Sequence, residues 1–173
     1  MFIRPISSAL LACALLLAPC ASASADQKRG PSTPEERQQA LDYIQHFQAD
    51  PLSPNVASER EWVIMWSIEV PDIHVNVCML ADLPKGDKKH GTTLFAGMMM
   101  AQIAYAIQHK GDPPDNNAEY LAGMQGMLNA YEKVIATNPK DHQPALDDLL
   151  QRRQAGTLAD YVKDRAASSC SKK

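Results

Sequence analysis

The chain has 173 residues, 20 of them acidic and 17 basic, for a formal net charge of −3. That length suits one domain of ordinary size, and the scattered positive charge lacks the basic face or stripe of a nucleic-acid binder. Nor is there a long Lys/Arg-rich amphipathic stretch of the kind that lies on membrane surfaces.

In chain order, residues 1–25 read as a secretory signal peptide. Arg4 supplies the positive start, and an apolar run from Ala9 to Ala18 carries Leu10, Leu11, Leu15, Leu16 and Leu17. Ala23-Ser24-Ala25 is an A-x-A cleavage site before Asp26. The run is shorter than the roughly 20 apolar residues of a membrane span. A lipid anchor at Cys20 is the alternative route, because Leu17-Ala18-Pro19-Cys20 sits where a lipobox would, although Pro19 departs from that pattern. Both routes predict a periplasmic or secreted protein. Cleavage after Ala25 removes Cys13 and Cys20 and leaves Cys78 and Cys170, which an oxidising compartment would pair. The rival is a reactive Cys78 thiol, for which no sequence neighbour supplies an activating charge.

Residues 26–32 read as a flexible leader, 33–167 as a helical domain and 168–173 as a polar tail. Thr33-Pro34-Glu35-Glu36 is a capping box with proline at the first helical position, followed by Leu41, Ile44 and Phe47 at helical spacing. Asp50-Pro51 and Ser53-Pro54 end that helix. Ser58-x-x-Glu61 suggests a second start, and Trp62 to Ile68 is apolar almost all round, which predicts a buried helix stopped by Pro71. From Asp72 to Cys78 polar and apolar residues alternate, the period of a strand, with no second strand to pair with. The stretch Ile73 to Cys78 is therefore an extended segment or a short helix.

After the polar loop Leu83–Gly91, Thr92 or Thr93 opens a third helix, apolar from Leu94 to Ile107 except for Gln102. His109, Lys110, Gly111 and Pro113 stop it. A fourth begins at Asp115 or Asn116, with Tyr120, Met124, Met127, Leu128, Tyr131 and Val134 on one stripe, and ends at Asn138-Pro139. Its Ala122, Gly126 and Ala130 recur every four residues and would let another helix come close. Pro144 to Gln154 is a fifth helix closed by Gly156, and Thr157 with Asp160 opens a short sixth. The pattern predicts an all-α, single-domain bundle of five to six helices, centred on the second and third.

The end of the fourth helix, with Tyr131 and Pro139, resembles the second helix of a tetratricopeptide repeat, which would imply a peptide-binding scaffold. Val134 and Met127 stand where that family has small residues, its first-helix signature is missing, and nothing repeats at its period of about 34 residues.

The candidates for chemistry are few. Glu69, Asp72 and His74 form the one titratable cluster near Cys78. On an extended chain His74, Asn76 and Cys78 share a face, a set from which a thiol hydrolase could be built. Lys85, Lys88, Lys89 and His90 could bind an anion, without the pattern of a phosphate loop. The 8 methionines, with Met98-Met99-Met100 consecutive, suggest copper, but neighbours on a helix point about 100° apart and cannot share one ion. With no cofactor signature, the sequence leads to an exported, non-enzymatic protein that binds another protein or peptide, of inhibitor, immunity or adaptor type. Metal handling and a thiol- or His-dependent hydrolase are the alternatives.

Overall fold

The computed structural model describes residues 29–78, 80 and 90–170. The signal sequence, Cys20 and the lysines Lys85, Lys88 and Lys89 lie outside the described residues. Within them the chain is an all-α bundle: α1 (Pro34–Ala49), α2 (Val56–Glu69), α3 (Gly91–Gln108), α4 (Asn116–Thr137), a 3₁₀ turn (Pro139–Asp141), α5 (Pro144–Gln154) and α6 (Leu158–Ser169). No strand occurs among the described residues. No helix there is long and apolar enough to cross a membrane.

Helix ends follow local chemistry. Thr33 accepts from the Glu36 N–H while Glu36 reaches back to the Thr33 N–H, closing a capping box on α1. Asp115 caps α4 by accepting from the Ala118 N–H. Gly111 and Gly156 take positive φ, 98° and 74°, where the chain leaves α3 and α5. Two expected caps are not made. Ser58 lies inside α2, which starts at Val56 behind Asn55, and Asp160 takes no part in a side-chain cap on α6. The Pro51–Pro54 turn fixes the start of α2 instead, through backbone bonds from Val56 to Ser53 and Ala57 to Pro54.

The centre is α3 and α4, rather than α2 and α3. One face of α3 (Ala96, Met100, Ile103, Ile107) packs with Ile44, Phe47, Val63 and Trp66 of α1 and α2. The other (Leu94, Met98, Met99) packs with α4, α5 and α6 around Met127, Leu128, Tyr131, Leu146 and Val162. The methionine triplet is thereby divided between two cores, and all three side chains are buried. The two central helices approach closely because Gly97 meets Gly126: a methyl on Gly126 would lie 2.3 Å from the Gly97 carbonyl oxygen. Ala130 flanks the same contact, as the four-residue recurrence predicts. Helix α2 is an outer helix. Val63 and Trp66 face the core, but Met65 is 50% and Ile68 70% exposed, so its all-round apolarity does not mean burial.

The tail is pinned. Helix α6 continues to Ser169, and Cys170 is disulfide-bonded to Cys78 across 92 residues, with Cα atoms 6.1 Å apart. In the chain-entropy view a loop of that length contributes about 4–5 kcal/mol.

Candidate functional site

The segment 70–78 carries the site. It is neither strand nor helix, yet its polar–apolar alternation is real. Its backbone groups pair with side chains instead of a second strand. The Asn76 N–H donates to Glu119 at 2.6 Å, and the Asn76 carbonyl accepts from the Gln102 amide at 3.0 Å. The Asn76 amide adds a 2.8 Å bond to the other Glu119 oxygen. Glu119, almost fully buried, is thus satisfied by neutral donors of this segment.

Alternation turns the segment into a partition between two clefts. On one side Val75 and Val77 join Ile68, Val70 and Met99 around an apolar groove of about 640 Å³. On the other, Asp72 and Asn76 join Tyr105, His109, Asp112 and Glu119 around a polar cleft of about 300 Å³. His74 borders both and is exposed. Arg29 and Glu69, paired at 2.9 Å, are the charged residues at the groove among the described residues, with His74 beside them.

Further apolar side chains are exposed on the elements that line the groove. Val77 is 54% exposed, Met65 lies one turn before Ile68 on α2, and Phe95, 39% exposed, lies one turn before Met99 on α3. Large apolar side chains left in water next to a groove mark interaction surfaces more often than isolated ones do. Sequence reasoning did not identify Met65, Ile68, Val77 and Phe95 as a set. The available signal was α2 itself, which has more apolar surface than one buried face needs.

The titratable cluster from the sequence separates into different roles. Glu69 pairs with Arg29, which also reaches Glu36. Asp72 accepts from the Ser32 N–H at 2.7 Å and the Ser32 hydroxyl at 2.9 Å, with Lys110 at 3.5 Å. Burial opposes its charge, but these donors outweigh it and hold the carboxyl below its usual range. Asp72 therefore ties the leader to the partition. The Cys78 sulfur is committed to Cys170, so the arrangement of His74, Asn76 and Cys78 contains no thiol. His90 of the anion-loop set contacts Asp141 at 2.8 Å. His46, His109 and His142 lie beside Glu59, Asp112 and Asp147. No group of three His, Cys, Asp or Glu residues able to hold a metal occurs among the described residues.

No protein-family model matches the chain, and no curated protein or solved structure is significantly similar to it.

Proposed function

We propose that this is an exported, non-enzymatic binding protein that takes apolar side chains of a protein or peptide partner into the groove between the end of α2 and residues 70–77. The observation that carries the reading is Ile68, 70% exposed at the mouth of a groove lined by Val70, Val75, Val77 and Met99. Exposing such a side chain forgoes roughly 1.5–3 kcal/mol of burial, a cost that a partner would recover. The bonded Cys78, which leaves the 70–78 segment without a thiol nucleophile, favours binding over thiol-dependent hydrolysis. The disulfide and the A-x-A site before Asp26 together favour a periplasmic or secreted location.

The test is affinity capture from the extracytoplasmic fraction with the native chain and with an Ile68→Asp/Val77→Asp variant. Both positions are exposed, so the variant should keep the helical fold, which its circular dichroism checks. We expect a partner retained by the native chain and lost by the variant. A partner held equally by both, or none held by either, overturns the reading. Sequencing the mature N-terminus checks export separately: a start at Asp26 is expected.

A further inference from the structure

The segment beside the groove has a free backbone edge. It is not helical, and Val75 and Val77 line the apolar groove while Asp72 and Asn76 line the polar cleft, as on an extended chain. In such a chain the N–H and C=O of one residue point to one edge and those of its neighbours to the other, so pairing recurs at every second residue. Asn76 spends both groups on the bundle, donating to Glu119 of α4 and accepting from Gln102 of α3. Val75 and Val77 therefore turn theirs away from α3 and α4. Among the described residues neither backbone group of Val75 or Val77 has a partner.

Backbone groups inside a folded protein are paired as a rule, and an edge left to water is commonly blunted with proline, lysine or an inward charge. Residues 73–78 contain no proline and no Asp, Glu, Lys or Arg. Ile73, Val75 and Val77 are β-branched, which favours the extended state. Both ends of the edge are also fixed. Asp72 is tied to Ser32 and Lys110, and Cys78 to Cys170. Little ordering entropy opposes pairing at an edge held in this way.

We infer that the partner of the apolar groove, on whose reading this rests, enters as an extended strand and hydrogen-bonds to Val75 and Val77 by β-augmentation. Its alternate side chains lie toward Ile68, Val70 and Met99 and fill the groove, while its backbone closes the edge. Arg29 and Glu69 at the groove pair with each other, so uncharged residues suit the inward positions of the strand. A helix is the poorer occupant, because its own backbone groups are bonded internally and would leave Val75 and Val77 unpaired.

The test titrates the isotope-labelled full chain, disulfide intact, with a blocked Lys-Val-Thr-Val-Thr-Val-Lys peptide at millimolar concentration. Main-chain bonds supply the affinity in this mode, so a generic alternating sequence is a sufficient probe. The Val75 and Val77 amide signals should shift and their hydrogen exchange should slow, while the exchange of Asn76, already bonded, stays as it was. Two further peptides carry N-methyl groups, one on the valines and one on the threonines. One of the two should bind like the parent and the other about tenfold more weakly or less, since only one set of amides faces the edge. No response at Val75 and Val77, or equal binding of all three peptides, would overturn the assignment. So would a dimer in which both amides are protected before peptide is added, because a second copy then fills the edge. The Ile68→Asp variant separates this from the groove reading. Binding that it abolishes but methylation leaves untouched keeps the groove and removes the strand. Methylation-sensitive binding that survives in it supports the strand and removes the groove.

Discussion

The Asn76 N–H and the Glu119 carboxylate, 43 residues apart, meet at 2.6 Å in a site where Glu119 has almost no contact with water. This bond takes the place of a sheet partner for the 70–78 segment. Glu119→Gln keeps one acceptor for two Asn76 donors, and Glu119→Ala keeps none. An unpaired buried N–H costs about 1–3 kcal/mol. The alanine variant should therefore be the less stable of the two in urea, and hydrogen exchange at Asn76 should accelerate in both. Unchanged exchange at Asn76 would show that the segment is held by other contacts.

Gly126→Ala should destabilise the bundle by about 2–3 kcal/mol despite alanine's better helix propensity, because the added methyl meets backbone oxygen. Gly123→Ala should cost less. The nearest atoms there are side-chain carbons of Gln102 and Met98 rather than backbone, so the clash is relieved by shifting the buried Gln102 and its bond to Asn76 instead of the helix itself. Denaturant midpoints of the two variants give the order directly.

The Tyr131 hydroxyl accepts from the Gln143 N–H at 2.6 Å and donates to Asp147 at 2.7 Å. Burial first, and then the hydrogen bond to Asp147 and its charge, push the Tyr131 pKa up to about 12, against the Gln143 bond that favours the anion. An acid whose folded value is raised stabilises the fold below its unfolded value of 10.0 and loses that contribution as pH climbs to about 12. Stability should fall through this window, and Tyr131→Phe should show a shallower decline from a lower starting point. Parallel pH curves for the two proteins would refute the assignment.

Asp72 has the opposite sign. Its lowered pKa contributes stability above the usual value of 3.8, and that contribution disappears as pH falls below it through the folded value. Asp72→Asn should remove part of the acid dependence and loosen Ser32, which protease sensitivity near the leader would report.

Replacing both Cys78 and Cys170 with serine should lower the melting temperature by roughly 10 °C, from the loop-closure contribution and the size of the domain. The groove wall should become mobile in the variant, so nuclear magnetic relaxation at Val75 and Val77 is the second readout.

Much of this architecture was legible where local chemistry decides it. The Thr33 capping box, the α3 stop at Gly111 and the Pro144–Gln154 helix all come from short-range signals. The errors lie where neighbours in space decide. Residues 62–68 are greasy on every side, yet the bundle covers only the face with Val63 and Trp66, and the core centre moves to α4. The alternation at 72–78 left an extended segment and a short helix both open; the chain there is neither helix nor strand, because its partners, Gln102 and Glu119, are far away in sequence and lie on helices. Glu69, Asp72 and His74 are close along the chain but pair with Arg29, with Ser32, and with no described residue, respectively.

The meeting of Gly97 and Gly126 also bears on the order of assembly. It joins two helices consecutive in the chain and separated by a short turn, so little loop entropy opposes it, and this hairpin should form first during folding. The Cys78–Cys170 link spans 92 residues and requires α4, α5 and α6 to be in place before its sulfurs meet. Refolding from the reduced state should therefore show a fast helical phase followed by slow oxidation, with the apolar groove gaining its fixed wall only in the second.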